Sequence, residues 1–445
     1  MAAWWNNLCC NRLSKCVCSR RNMMSSPRNL SEHFLLAARN HEIDNLEQLA
    51  HSSELVAYAA QLVHELQRER GISNVFLASA GAHFGKERQE QVAASGQAET
   101  DFRAYLERVS GERRPLWSSA RLYNRLAQVM LQLDELEALR RAVAEQKLDA
   151  TDSTEAYSRL IGSLLAVIFE AADIATDPEI TRALVALFNF MQAKEYTGLE
   201  RAWGSVGLAA RKIDKELVGR LQHLRESQQR CLETFLQFAG VDQCDNWKRI
   251  DQDPATAELA RLRAMIDAFV GEAAVPDSIS EIWFAVITTR IDRMHQVESE
   301  LREQLLTSSR ARVEAAKQAM RSNRFRLQQE SGAEPVSPLS MLLDAPTKSA
   351  DAPASPEVNR SLYQLLQEQS AHLQQMSDEL NEAREALRER KVIERAKGVL
   401  MQYQGLSEEE AYRRLRESAM QSNCRVADVA KKVIGAVDSG ANQHQ

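Results

Sequence analysis

Residues 391–420 read KVIERAKGVLMQYQGLSEEEAYRRLRESAM, and residues 425–434 read RVADVAKKVI. In the first stretch, Val392, Ala396 and Leu400 recur at the spacing that places side chains on one face of a helix. This period indicates an amphipathic α-helix, because a half-buried strand would alternate apolar and polar residues at every second position.

Two further helices are predicted in the same region. Gly405 predicts the end of the first helix, and Ser407 with Glu410 three residues later predicts a capping box for the second. A third short helix is predicted over 426–437. Residues 391–435 carry nine Lys or Arg against six Asp or Glu, so we expect a basic surface on this three-helix unit.

Length and composition predict a multidomain, almost wholly α-helical chain. At 445 residues the chain is too long for one hydrophobic core. It has 44% hydrophobic residues but only 10 Pro and 17 Gly, so few residues interrupt helices. Long helices are predicted over 53–79, 84–109, 119–145, 153–175, 178–203, 214–238, 254–271 and 280–324. Eight helices of this length predict two four-helix bundles.

The prolines divide the chain. Half of them, at positions 335, 338, 346, 353 and 356, fall among Ser, Ala and Asp, where a packed core is not expected. We therefore predict five segments. They are an unassigned tail over 1–30, a helical sensor over 31–328, a linker over 329–357, a coiled-coil helix over 358–390 and an output unit over 391–437.

A heptad pattern precedes the output unit. Its leucines repeat every seven residues, and apolar residues fill the intervening positions. The positions are Leu366, Leu373, Leu380 and Leu387, with Leu362, Met376 and Ala383 between them. This seam over 362–387 predicts a coiled coil and hence a homodimer. The alternative is a solitary amphipathic helix folded onto the sensor.

Charge and cysteine content narrow the function classes. The net charge of −6 gives the whole chain no attraction to nucleic acid. No apolar run approaches the ~18 to 20 residues that cross a bilayer, so we expect a cytoplasmic protein without a membrane partner. Cys9, Cys10, Cys16 and Cys18 match no standard zinc spacing. We predict no metal and no cofactor, and interpret residues 1–22 as an upstream start or an unstructured tail; four thiolates binding zinc are the alternative.

Two predicted helices carry glycine inside charged stretches. Residues 64–77 read HELQRERGISNVFL, and residues 191–207 read MQAKEYTGLERAWGSVG. A glycine within a helix costs about 1 kcal/mol relative to alanine, which suggests that another group approaches the backbone closely. The stretches look like a faint internal repeat, one per bundle, so a pocket between the bundles would be lined by guanidinium groups.

These motifs carry a resemblance to known families. The elements ERAKG, SEEEAY and VADVA resemble, in order and spacing, the ANTAR RNA-binding domain of transcription antiterminators. The ERG turn at 69–71 and the helix KEYTGLERA at 194–202 resemble the nitrate- and nitrite-sensing (NIT) domain, over roughly residues 50 to 305. The order NIT then ANTAR resembles the nitrate-responsive antiterminators of NasR type.

The resemblance implies a regulator rather than an enzyme. Nitrate or nitrite would be the effector, and paired hairpins in leader mRNA would be the target, so that a terminator cannot form in nitrate assimilation operons. RNA polymerase would be an indirect partner. The tail and the Pro-rich linker depart from the family pattern and remain unassigned.

The ligand is expected to bind guanidinium groups. Nitrate is a small planar anion, and a planar guanidinium that bonds through two N–H groups is a better host than an ammonium. Arg70 matches the NIT signature turn, Arg201 matches the second signature helix, and Arg263 is carried over as a partner from the second bundle. Each arginine could instead form a structural ion pair, with Glu69, Glu195 or Glu258 as the candidate partners.

The RNA contacts are expected on the three output helices. Lys and Arg would bind phosphates of a hairpin stem, and a tyrosine would stack on an unpaired loop base. The candidates are Arg395, Lys397, Tyr412, Arg413, Arg416, Arg425, Lys431 and Lys432. The alternative is a solvated basic face without RNA.

Two other classes of protein remain open. Three short helices could pass for a helix-turn-helix regulator that binds DNA, and the sensor could act through a protein partner. The sequence contains no nucleophile–base motif, no His-x-x-x-His pair and no phosphate loop, which counts against an enzyme.

Overall fold

The computed structural model describes residues 27–111, 117, 119–209, 213–268, 278–329, 357–406, 408–422 and 424–441. The regular secondary structure of these ranges is α-helical, which confirms the predicted all-α fold. The four cysteines of the tail, the Pro-rich linker and the capping residue Ser407 lie outside the described residues. No helix in the described ranges is long and apolar enough to cross a membrane.

The helices are numbered here in chain order. The sensor region contains α1 (Pro27–Ala78), α2 (Gly85–Ser110), α3 (Ala120–Ala144), α4 (Ala150–Asp173), α5 (Pro178–Ala209), α6 (Lys215–Phe238), α7 (Val241–Asp251), α8 (Pro254–Ala268) and α9 (Ser278–Gln329). The carboxy-terminal region contains α10 (Glu357–Gln404), α11 (Glu408–Gln421) and α12 (Val426–Ala441).

Helix α1 begins earlier than the sequence pattern predicts. The pattern predicts a start at residue 53, whereas the helix runs from Pro27. Residues 28–52 contain neither Gly nor Pro, so nothing in the backbone ends the helix there. Proline is tolerated in the first helical turn, because the N–H that it lacks would have no partner within the helix.

Helix α7 is absent from the sequence-based prediction. The backbone N–H of Gly240 donates to the side chain of Gln243 at 2.9 Å, which fixes the start of this eleven-residue helix. Trp247 packs edge-on against Phe190 of α5, with ring centres 5.2 Å apart. The second bundle therefore contains one short helix more than the pattern predicts.

Helices α1 to α4 form the first bundle around a buried carboxylate. Glu69 of α1 is fully buried and accepts hydrogen bonds from Arg140 of α3 at 2.9 and 3.0 Å. It also accepts one from the hydroxyl of Tyr157 of α4 at 2.7 Å. A buried charge is stable only when it is paired and hydrogen-bonded, so this network fixes the rotation of α1 about its axis. Arg70, one residue on, lies about 100° further around the helix.

Helices α5 to α9 form the second bundle around an apolar core. The buried cluster consists of Leu208, Ile213, Val218, Leu221, Leu259, Leu262, Ile266, Ile279, Trp283, Ile287 and Ile291. The indole ring of Trp283 lies against Gly204 of α5 and leaves no room for a Cβ there. Its Nε1 donates to the backbone carbonyl of Arg201 at 3.2 Å. Trp283 therefore joins α9 to α5 next to the second charged stretch.

The chain divides into two compact units. Of the described residues, one unit comprises 27–47, 311–329 and 357–375, and in it Lys317 of α9 pairs with Glu47 of α1 at 2.9 Å. The other comprises residues 48–310 and 376–445. All the functional geometry described below lies in the second unit.

The output unit is a three-helix cluster, as predicted. Helix α10 is continuous, so the predicted coiled-coil helix and the first output helix are one helix. Gly405 follows it with a φ of 64°, the left-handed conformation that ends a helix. The buried core of the unit consists of Ala396, Leu400, Ala411, Leu415, Ala419, Val429 and Ala430.

The described part of the heptad seam is buried within the single chain. Leu380, Ala383 and Leu387 are 9% exposed or less. Next to them, Arg384 donates to the backbone carbonyl of Ala175 in the sensor at 3.1 Å. This is the arrangement of the alternative interpretation, a helix folded onto the sensor. The side chains of Leu362, Leu366, Leu373 and Met376 lie outside the described ones.

Candidate functional site

Helices α1 and α5 each place a glycine beneath an arginine of the other. A Cβ on Gly71 of α1 would overlap Nη2 of Arg201 from α5. A Cβ on Gly198 of α5 would lie only 2.8 Å from Nη2 of Arg70 from α1. The expectation that a group approaches these glycines closely is confirmed, and the group is the guanidinium of the facing helix.

Arg70 is held by a carboxylate. It is 1% exposed, and its Nη1 and Nη2 donate to Glu195 at 2.5 and 3.0 Å. Gln67 donates to the same carboxylate at 2.8 Å, and Arg70 also donates to the hydroxyl of Ser158 at 2.9 Å. Arg70 therefore forms a two-point ion pair in this conformation, and its partner is Glu195 rather than Glu69.

A cavity of about 180 Å³ lies between α1, α5 and α9. It is lined by Gln67, Arg68, Ile72, Phe84, Lys194, Gly198, Arg201, Phe284, Thr288, Ile291 and Asp292. Lys194, Gly198 and Arg201 are buried, whereas Arg68, Phe84 and Asp292 are exposed. The cavity therefore opens to solvent on the side of the exposed residues, and its inner wall carries two cationic side chains.

Arg201 is the buried cation of the cavity. Its Nη1 donates to the hydroxyl of Thr288 at 2.8 Å, and its guanidinium carbon lies 4.8 Å from the centre of the Phe284 ring. Burial, and then the charge of Arg70, lower the pKa of Arg201 to about 10. In the described part of the chain, no carboxylate lies at ion-pair distance from it. An anion in the cavity would offset the cost of burying this charge.

Lys194 belongs to a second buried group on the cavity wall. Its ammonium pairs with Glu298 of α9 at 2.5 Å, and both side chains are fully buried. His64 and His295 stack next to them with ring centres 3.3 Å apart. Burial and the charge of Lys194 lower the pKa of His295 to about 3, and they lower the pKa of His64 still further. Both imidazoles are therefore neutral near pH 7.

Arg263 does not lie in the cavity. It donates to both oxygens of Glu200 at 2.9 and 2.6 Å, and Arg225 donates to the same carboxylate at 2.8 Å. Gln228 accepts a further bond from Arg263 at 3.2 Å. The structure brings Arg70 and Arg201 together across two glycines, but it places Arg263 in an ion-pair network on another side of α5.

Several residues of this site are absent from the sequence-based candidates. Lys194 lies in the quoted stretch 191–207, and a lysine on an otherwise apolar helix face is a signal for a buried pair. Phe284, Thr288 and Asp292 are four residues apart, which places them on one face of α9. The sequence contains no signal that this face meets α1 and α5, because that contact is tertiary.

Lys397, a predicted RNA contact, is buried where the output unit meets the sensor. Its ammonium lies 2.9 Å from Glu394 and 2.7 Å from Glu408. Burial lowers the pKa of Lys397, but the charges of the two carboxylates outweigh it and raise the pKa. Lys397 therefore joins α10 to α11, and its charge is neutralised within the protein in this conformation.

Helix α10 lies against α4 and α5 of the sensor. Lys391 pairs with Asp173, the last residue of α4, at 3.0 Å. Arg390 donates to the side-chain oxygen of Asn189 on α5 at 3.1 Å, and its guanidinium lies 4.8 Å from the centre of the Phe188 ring. The output unit is thus docked on the sensor by charged and polar contacts.

Helix α11 lies against α6. The ring of Tyr412 lies 4.5 Å from the guanidinium of Arg230 and 5.5 Å from the ring of His223, and Arg416 pairs with Glu226. Arg413 lines the same groove. Tyr412, Arg413 and Arg416 are predicted RNA contacts, and in this conformation they face the sensor.

The remaining predicted RNA contacts are exposed. These are Arg395, Arg425, Lys431 and Lys432. Arg425 lies 2.6 Å from Glu389, and Lys431 lies 3.6 Å from Asp428. Exposed ion pairs contribute little to stability, so a phosphate could replace these carboxylates at small cost.

Comparisons with known proteins agree with this geometry. The nitrate and nitrite sensing (NIT) family matches residues 61–306, and the ANTAR domain matches residues 381–434. The chain is 33% identical over 418 residues to the nitrate regulatory protein of Klebsiella oxytoca, covering 93% of this chain and 96% of that protein. It is also similar to the solved structure of the NasR transcription antiterminator, with a TM-score of 0.57 and 30% identity, covering 90% of this chain and 98% of that one.

The fold and the site define a class of protein, in which a helical sensor domain is joined to an ANTAR output domain. The two matched segments follow each other in the order that the sequence motifs predict. Within that class, the chain belongs to the family of nitrate-responsive transcription antiterminators of NasR type.

Proposed function

We propose that this protein detects nitrate or nitrite and responds by binding paired hairpins in the leader mRNA of nitrate assimilation genes, so that a terminator does not form. It acts as a regulator rather than an enzyme and needs no cofactor besides its effector anion. It works in the cytoplasm, where the nascent leader RNA is made, and it affects RNA polymerase only through the terminator.

The cavity between α1, α5 and α9 is the proposed anion site. It contains Arg201, a buried guanidinium whose pKa is lowered. A bound anion would stabilise the positive charge of this guanidinium. Arg70 is the second proposed ligand, because its guanidinium lies against Gly198, which lines the cavity. Arg263 is proposed to act on the ligand indirectly, because it fixes α5 through Glu200.

The observation that carries the output mechanism is the contact of Tyr412 and Arg416 with the sensor. A residue that binds Arg230 or Glu226 is not available to RNA, so this conformation represents the resting state. Nitrate must then favour the released state. A change from 1:99 to 99:1 requires a preference of about 10⁴-fold, or roughly 5.5 kcal/mol, which new bonds between buried arginines and an anion can contribute to.

Release also bears on the oligomeric state. Leu380, Ala383 and Leu387 are buried in the resting state, next to the contact of Arg384 with the sensor, and we expect release to expose them. The seam over 362–387 would then pair with a second copy. A homodimer carries two output units, one for each hairpin, and binds the paired target by avidity.

Calorimetry and RNA retardation with the full chain test this function. Nitrate or nitrite should bind, whereas chloride and sulfate should not, and nitrate should strengthen binding to leader RNA but not to promoter duplex. Arg70→Ala should abolish nitrate binding, and Arg70→Lys should recover little of it, because an ammonium lacks the planar fork. If Arg70→Ala bound nitrate with the affinity of the wild type, Arg70 would not be a ligand of the anion.

A fragment of residues 357–445 tests whether the sensor restrains the output unit or takes part in RNA binding itself. Because it lacks the surface that holds Tyr412 and Arg416, it should bind leader RNA without nitrate. If this fragment bound RNA only after the sensor and nitrate were added, docking on the sensor would not be what prevents RNA binding in the absence of nitrate.

A further inference from the structure

Arg70 and Glu195 form a two-point ion pair that is buried from solvent. The two N–H groups of Arg70 reach both oxygens of the Glu195 carboxylate, at 2.5 and 3.0 Å. The side chains are 1% and 7% exposed, so water does not compete for these bonds. The carboxylate fills the edge of the guanidinium that a planar oxyanion would use.

A carboxylate and nitrate present the same planar pair of oxygens to a guanidinium. The two anions cannot share this edge of Arg70, because two like charges held in a buried site repel each other strongly. An anion therefore reaches this edge of Arg70 only if the Glu195 carboxylate leaves it. After such an exchange Arg70 is still paired with one anion, so no uncompensated buried guanidinium is formed.

We propose that Glu195 is an internal competitor of the effector: its carboxylate occupies Arg70 in the resting state, and nitrate binds Arg70 by displacing it. The inference rests on the proposed function of the cavity as an anion site. The displaced carboxylate keeps the amide of Gln67 as a partner and lies within the field of Arg201.

The position of Glu195 on α5 connects the exchange to the output unit. The next residue, Tyr196, lines a cleft of about 460 Å³ between the sensor and α10, together with Arg390 and Lys397. Asn189, on the same helix, accepts the hydrogen bond from Arg390. A displacement of Glu195 therefore acts on the helix that carries the docking contacts.

Competition has a consequence that a purely structural ion pair does not have. If Glu195 competes with nitrate, the apparent affinity is reduced by the fraction of time that Arg70 is occupied. Glu195→Gln keeps the shape but removes the charge, so nitrate should bind about tenfold more tightly or better. A residue that only supports the fold would weaken binding when it is replaced.

Titration calorimetry of nitrate into the full-length wild type, Glu195→Gln and Glu200→Gln tests the proposal. Glu200 is the matched control, because it lies on the same helix, is buried and forms a two-point pair with Arg263. Glu195→Gln should tighten nitrate binding, whereas Glu200→Gln, which loosens the hold of Arg263 on α5, should weaken it or leave it unchanged. Glu195→Asp keeps the charge, but its side chain is too short for the two-point pair, so this variant should also tighten nitrate binding. It replaces Glu195→Gln in the test if that variant does not fold.

The outcomes separate this proposal from the function on which it rests. No nitrate binding by the wild type would overturn both. Binding by the wild type that is lost in Arg70→Ala but is equal or weaker in both Glu195 variants would leave the anion site in place and overturn the competitor role.

Discussion

The Nη2 atom of Arg201 lies where a Cβ on Gly71 would overlap it. Any larger residue at position 71 would therefore displace the Arg201 guanidinium from its place against α1. Because Arg201 is also the buried cation of the cavity, the close approach of α1 to α5 and the proposed anion site involve the same guanidinium.

Gly71→Ala should weaken nitrate binding while the helical content is unchanged. Alanine favours the helix by up to about 1 kcal/mol, but its methyl group must displace Arg201. A hydrogen bond to a charged group contributes ~1.5 to 3 kcal/mol, so we expect a loss of about tenfold or more in affinity by calorimetry. Gly96→Ala is the matched control: Gly96 is also inside a helix, and nothing lies within 4 Å of a Cβ there. This variant should bind nitrate as the wild type does, and a parallel loss in both variants would contradict the steric argument.

Lys391→Glu should raise the released fraction of the output unit in the absence of nitrate. The substitution replaces a 3.0 Å pair with Asp173 by a repulsion, and a change on the order of 1 kcal/mol alters the ratio of docked to released states about fivefold. Retardation of leader RNA in the absence of nitrate measures this ratio. The double variant Lys391→Glu, Asp173→Lys should return RNA binding without nitrate to the wild-type level. Lys248→Glu, which breaks an exposed pair with Asp245, should have no effect. If the double variant kept the raised RNA binding of Lys391→Glu, the pair would not contribute to docking.

The output unit should lose stability in acid through Glu408. The charge of Lys397 lowers the pKa of the Glu408 carboxyl below its ordinary value of 4.5. A carboxyl with a lowered folded pKa contributes stability that is present above the unfolded pKa and is lost as the pH falls through the folded value. Thermal unfolding between about pH 6 and about pH 3.5 should therefore show a steeper decline for the wild type than for Glu408→Gln. Glu417→Gln, at an exposed position of the same helix, should decline as the wild type does.

Lys431 and Lys432 should contact phosphates rather than bases. Both are exposed on α12 while the output unit is docked. Replacing either by alanine should weaken binding to all hairpins alike and reduce the salt dependence by roughly one unit of slope. Tyr412→Ala should instead cost ~1 to 3 kcal/mol on the cognate hairpin and less on a loop-scrambled one, if its ring stacks on a base after release. The fragment 357–445 is suited to this comparison, because Tyr412 also contacts the sensor in the full chain.

The helices and their ends were largely accessible from the sequence, because they depend on local patterns. The end of α10 at Gly405 and the close approach at Gly71 follow from what a glycine permits within or after a helix. The start of α1 did not follow, since the absence of Gly and Pro over 28–52 permits a helix but does not require one.

The ion-pair partners of charged side chains were harder to predict from the sequence. Arg70 binds a carboxylate 125 residues away, and the local sequence offered Glu69 just as readily. Lys397 lies in a basic motif that indicated a solvent-exposed face, yet Glu408 of the next helix neutralises it. The heptad leucines carry the same period whether they pack on a second copy or on the sensor, so only the tertiary structure distinguishes the two.

The stacked imidazoles of His64 and His295 lie next to the proposed anion cavity, and burial with the charge of Lys194 keeps the pKa of each far below that of a free histidine. Arg68 and Arg302 act on both rings in the same direction. Histidine is the side chain that ordinarily changes charge between about pH 5 and 8, and here neither ring does so. These two rings therefore add no charge that changes over this pH range beside the proposed anion cavity, so the charge available to an incoming anion there does not vary with their protonation.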